Sequence, residues 1–196
     1  MSHDRSMSAQ LAFPVAAAVS GFALGISYIV PGGGIIFPGL FFGIALAYAV
    51  HHTVEELKPA IGAVLVLLST CGFWVACITT LFSIRLFGGG NNLASDFIAG
   101  ILAGSAGASV LAAGLAISSE RFQSFRFVAV ITATGAVCGA AFAVVVYLHD
   151  NAHLPHPIDF IFGYVIWQVG VASVMPLARN NDASVASLNH ASRNSN

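Results

Sequence analysis

Charge is what this chain has least of. Only 8% of its 196 residues are Asp, Glu, Lys or Arg, against roughly a quarter in an average soluble domain. So few charges cannot solvate a globular surface, and the scarcity points to lipid as the solvent. The formal net charge of −1 gives nucleic acid no reason to bind. No polar gap holds the basic cluster that recognises anionic headgroups. Cysteine is also scarce: Cys71, Cys77 and Cys138 make an odd number without CxxC spacing. That excludes a disulfide framework and a zinc finger, and leaves them as small packing residues within apolar runs.

The apolar runs lack ionisable residues at their centres. Burying a charge in hydrocarbon is costly and needs a functional reason. Its absence argues against ion-coupled transport, channels with charged rings and acid–base catalysis inside the membrane. No GxSxG motif or buried His offers a serine nucleophile its base, and no His lies deep enough to ligate a haem. The sequence therefore predicts a non-enzymatic protein with no cofactor.

Hydrophobic residues, by contrast, make up 57% of the chain and gather in long runs. A helix needs about 20 apolar residues to cross a roughly 30 Å hydrocarbon core. On that ruler the chain divides into six spans: Leu11 to Val30, Ile35 to Val50, Pro59 to Ser83, Phe97 to Ile117, Phe127 to Leu148 and Phe160 to Leu177. The first run exceeds a signal-peptide core and ends without a clear cleavage site, so it reads as a span. The expected fold is an all-α, polytopic membrane helix bundle. A cytoplasmic tail over 1–10 precedes a six-helix transmembrane domain over 11–178, and an Asn- and Ser-rich, disordered cytoplasmic tail follows over 179–196.

Lys and Arg gather in cytoplasmic loops. With the N-terminus inside, Arg5, Lys58, Arg121, Arg126, Arg179 and Arg193 fall on that side and only Arg85 outside. The pattern predicts an N-in, C-in topology and suits a bacterial inner membrane. The second span, of about 16 residues with Pro38 and Gly39 near its start, is expected to be short or re-entrant.

Glycines spaced four apart recur in four spans: Gly21 and Gly25, Gly39 and Gly43, Gly100 and Gly104, Gly135 and Gly139. Such pairs let helix backbones approach closely where lipid supplies no hydrophobic drive. Packing within the bundle is their expected use, with self-association or a membrane-protein partner as the alternative. The fourth span, rich in Gly, Ala and Ser, is expected to sit centrally. Glycine triplets ahead of two spans, and Asp96 and Asp159 ahead of similar apolar segments, hint at three repeated hairpins. Both aspartates are explained as helix N-terminal residues.

The segment from His149 to Asp159 holds three imidazoles and two carboxylates in eleven residues. His149, His153, His156 and Asp159 are the candidate ligands for a transition metal, with His149 and His153 sharing a face if the fifth helix runs on. An ordinary polar loop is the competing reading. Thr53-Val54-Glu55-Glu56 matches a capping box and is expected to start the third span, in preference to a proton relay with His51 and His52.

What remains within the spans is hydroxyl and amide: Ser20, Ser27, Ser69, Thr70, Thr79, Thr80, Ser105, Ser109, Thr132, Thr134 and Gln168. Most should bond their own backbone or a neighbouring helix. Trp167 beside Gln168 is too deep for an interfacial anchor and its indole N–H requires a buried acceptor. Three functions follow in order: a subunit or scaffold of a membrane complex, a passive channel or carrier for a small neutral solute, and a metal- or pH-responsive sensor.

Overall fold

The computed structural model describes residues 13–20, 38–54, 57–87, 92–152 and 158–176. Regular structure among them is helical throughout: α1 (13–20), α2 (Pro38–Thr53), α3 (Pro59–Phe87), α4 (Leu93–Ser118), α5 (Phe125–Ala152) and α6 (Ile158–Ala172), with a 3-10 turn at Glu120–Phe122. Chains that face lipid must satisfy their backbone internally, and helices do so within one segment. Three of these helices, α3, α4 and α5, are long and apolar enough to cross a membrane. The other two apolar helices are shorter, Gly39–His52 and Phe162–Ala172. Gly21, Gly25, Ser27 and the glycine triplets lie outside the described residues, as does the expected C-terminal tail.

Helix ends depart from the sequence reading where local chemistry overrides apolar content. Thr53 closes α2 and does not open α3. The third helix starts at Pro59, where the third apolar run was expected to begin, and the missing N–H of proline is no loss in the first turn. The carbonyl of Lys58 accepts from Ile61 and Gly62. Glu55 and Glu56 lie outside the described residues. On α4 the cap is Asn92, whose side chain accepts from the Ala94 amide at 3.0 Å. Asp96 is thus one turn too deep to be the cap, and its carboxylate stands near the positive end of the helix dipole. Ser124 caps α5 through the Phe127 amide at 3.2 Å. Helix α6 runs to Ala172; a turn at 173–174 and helical residues 175–176 follow, and the expected span end at Leu177 lies outside the described residues.

From α2 to α6, close contacts show each helix running antiparallel to the next. Substituting a Cβ at Gly43 would bring it 2.8 Å from Val66 Cα, and one at Gly39 would meet Thr70. Gly72 faces the Gly107 carbonyl, whereas Gly114 faces Leu68. Gly100 meets Gly139 and Gly104 meets Gly135, and Gly170 meets Cys138. The ring closes where Trp167 of α6 packs edge-on against Phe42 of α2, centroids 5.9 Å apart. Half of the α4 window is buried against 17% for α3, so α4 is the central strut. Lys58, Arg121 and Arg126 consequently share one end of the bundle and Arg85 sits at the other.

Side-chain size divides the bundle along its axis. At the Lys58 end the interior is filled by Leu65, Leu111, Leu115, Phe122, Phe127, Ile131 and Met175, all at most 2% exposed. Towards the Arg85 end the facing positions of α4 and α5 are Gly and Ala, so the backbones close up there. The outer faces carry large apolar side chains, with Phe125 87%, Leu86 75% and Phe82 65% exposed. Water would penalise such a surface and lipid would not.

Candidate functional site: a cavity inside the bundle

Between the filled half and the Arg85 end lies a cavity of about 180 Å³. Along α3 its wall is the row Ser69, Phe73, Ala76, Cys77, Thr80 and Ile84, spaced three and four apart and so on one helix face. The α4 wall is small: Ala99, Gly100, Ala103 and Gly104. Helices α5 and α6 contribute Phe142, Ala143, Val146, Gly163, Tyr164, Trp167 and Gln168. Small residues on one side and aromatic rings on the other leave the space that the side chains do not fill.

The aromatic wall is built by contacts across the ring of helices. Tyr164 lies 6.1 Å from Phe73 and 5.5 Å from Phe142, centroid to centroid. Gly163 permits this: a Cβ there would overlap the Phe142 ring. Trp167 spans the interior, touching Phe42 on α2 and approaching Gly107 on α4, where an added Cβ would lie 3.6 Å from its Cζ2. It also packs on the apolar cluster. Trp167 therefore forms the floor that separates cavity from filled core.

Several polar groups in the cavity wall and on the neighbouring helix faces are engaged. Thr80 donates to the Ala76 carbonyl at 3.0 Å and Thr70 to Val66 at 2.8 Å. Ser105 and Ser109 likewise bond their own helix, and Ser109 lies 3.2 Å from Thr132 across the α4–α5 contact. Gln168, 2% exposed, accepts from the Ser20 hydroxyl at 2.5 Å, tying α6 to α1. Ser20 also lies 2.9 Å from the Ala17 carbonyl. One hydroxyl proton serves one acceptor at a time, and the shorter contact, in the range of an O–H···O bond, makes Gln168 Oε1 the principal acceptor.

Ser69 is the exception. It is 5% exposed, it lines the cavity, and its Oγ has no hydrogen-bond partner among the described residues. An unmet buried hydroxyl costs about 1–3 kcal/mol, and such a group calls for a ligand or water that completes it. Among the described residues the cavity lining carries one formal charge, Asp96 in the first turn of α4, and no basic residue.

The structure distributes the other candidates differently. Gly39 and Gly43 face α3, and Gly100 and Gly104 face Gly139 and Gly135, so these positions are occupied within the chain. His149 lies in the last turn of α5, which ends at Ala152, one residue before His153. His153 and His156 are outside the described residues, and Asp159 falls in the first turn of α6. Among the described residues no three metal-ligating side chains come together. On the opposite end, the Leu57 amide donates to His51 Nδ1 at 3.0 Å, and His52 stacks on Tyr48 at 4.3 Å. His51 thus closes the α2–α3 turn.

Sequence reasoning named Ser69, Thr80, Trp167 and Gln168 only as intramembrane polar groups, and passed over Phe73, Phe142 and Tyr164. The one usable signal was the α3 row, in which Ser69, Phe73, Cys77, Thr80 and Ile84 fall on a single face. No known protein family, curated protein or solved structure matches the chain.

Proposed function

We propose that this is a multi-pass membrane protein, N-in and C-in, that binds and carries a small neutral solute in the cavity between α2, α3, α4, α5 and α6. One observation carries the reading: a buried hydroxyl, Ser69 Oγ, lines the cavity and has no hydrogen-bond partner among the described residues. A bundle whose only task was to hold helices together would fill this space, since packing is the main attraction between helices in lipid. The filled core lies at the Lys58 end and the cavity on the Arg85 side of it, which supports a site that is closed from the Lys58 side. Charge placement supports the orientation: Lys58, Arg121 and Arg126 share one end, which the positive-inside tendency makes cytoplasmic.

We place the subunit reading second, because Gly39 and Gly43 face α3 and Gly100 and Gly104 face Gly139 and Gly135 within the chain. The experiment is uptake of labelled neutral solutes, glycerol, urea and phenol among them, into proteoliposomes holding the full chain. Uptake of at least one above that of protein-free vesicles is expected, with Ala103→Phe, which fills the cavity, returning it to background. Uptake equal to protein-free vesicles for every solute would reject the carrier reading.

A further inference from the structure

We infer that the ligand is a small uncharged aromatic molecule with one hydrogen-bonding group, its ring against Phe73, Phe142 and Tyr164 and its polar group on Ser69 Oγ. The inference rests on the solute reading above and deepens it by naming the chemical class.

Size is the first argument. The cavity measures about 180 Å³, and an apolar cavity of roughly 150 Å³ stays dry and accepts benzene. One ring with a small substituent fits; a sugar, a nucleotide or a lipid tail does not.

Shape and surface are the second. The centroid separations of Tyr164 to Phe73, 6.1 Å, and to Phe142, 5.5 Å, with planes inclined at 44° and 37°, lie in the range where aromatic rings attract one another. A further ring in the cavity extends that cluster. The facing wall is Gly and Ala, which present little beyond backbone and leave room for a flat molecule.

Polarity is the third. Ser69 is one helical turn from Phe73 on the same face of α3, so a ring stacked at Phe73 places a hydroxyl or carbonyl substituent within reach of Ser69 Oγ. A hydroxyl both donates and accepts, so phenol-like and ketone-like groups are both served. Charge is the last. Among the described residues the lining holds one carboxylate, Asp96, and no Lys, Arg or His, so an aromatic carboxylate would enter low-dielectric space facing a like charge and no basic side chain.

The test is equilibrium binding of phenol, benzene and benzoate to the full-length protein in nanodiscs, by calorimetry, on wild type, Ser69→Ala and Ala103→Phe. Phenol and benzene should bind, phenol the tighter, and benzoate should not. Ser69→Ala should weaken phenol about fivefold, the effect of one ordinary hydrogen bond, and leave benzene unchanged; Ala103→Phe should abolish both. Equal loss of phenol and benzene in Ser69→Ala, or no change in either, would overturn the anchoring role. Binding of benzoate as tightly as phenol would overturn the ligand class. If glycerol or urea is carried and neither phenol nor benzene binds, the solute reading survives and the aromatic inference falls. If nothing is carried and nothing binds, both fall.

Discussion

Gly104 of α4 lies against Gly135 of α5 so closely that a Cβ built on Gly104 would run into the Gly135 carbonyl. One turn along, Gly100 and Gly139 stand in the same relation. The four glycines form a reciprocal antiparallel contact in which backbone packs on backbone, and the cavity opens directly beside it.

Gly104→Ala is therefore expected to destabilise the protein by about 1–3 kcal/mol, because overpacking moves backbone that cannot yield cheaply. Gly62 of α3 is the control, since a Cβ there meets nothing within 4 Å. Gly62→Ala should be neutral or stabilise by roughly 0.5–1 kcal/mol. Thermal unfolding in detergent compares the two, and equal effects would contradict the close approach of α4 and α5.

A hydrogen bond links the same pair of helices further along, between Ser109 and Thr132 at 3.2 Å. In a double-mutant cycle with Ser109→Ala and Thr132→Val the coupling should be about 0.6 kcal/mol, the usual size for interhelical bonds in membranes. Additive single effects would mean that the two hydroxyls act only on their own helices.

Asn92→Ala removes the cap of α4 and should cost about 1 kcal/mol of stability. Asp96→Asn should cost less, because Asp96 lies beyond the cap and the substitution keeps the side chain's shape while removing its charge from the first turn. Reversed magnitudes would reassign the start of α4.

Gln168→Leu should destabilise by about 1–2 kcal/mol, since it leaves the buried Ser20 hydroxyl with only the Ala17 carbonyl and detaches α6 from α1. The additional change Ser20→Ala should recover part of that loss. Unfolding curves of the single and double variants decide, and a double variant worse than the sum of the singles would sink the proposed bond.

Much of the helical layout was legible because apolar run length maps directly onto helix length, as with the α3 start at Pro59 and the uncharged stretch of α4. Helix ends were less so. Thr53 to Glu56 carried a capping pattern, yet Pro59 fixed the start of α3, since proline in a first turn outweighs a side-chain cap elsewhere. The cavity was the least legible feature. That Ser69 lacks a partner depends on how α2, α3 and α6 rotate about their axes, and nothing local to Ser69 sets that rotation. A ring such as Tyr164 reads alike from sequence whether it faces lipid or an interior space.

The most direct test of the central claim uses the protein's own thiols. Cys77 lines the cavity, Cys71 is on the exposed face of α3 and Cys138 is buried against Gly170. In a Cys71→Ala, Cys138→Ala variant held in sealed, oriented vesicles, Cys77 is expected to react with a membrane-impermeant maleimide from the Arg85 side alone. Phenol should slow that reaction. Labelling at equal rates from both sides, or none from either until the membrane is dissolved, would contradict a cavity open to one side and with it the solute site.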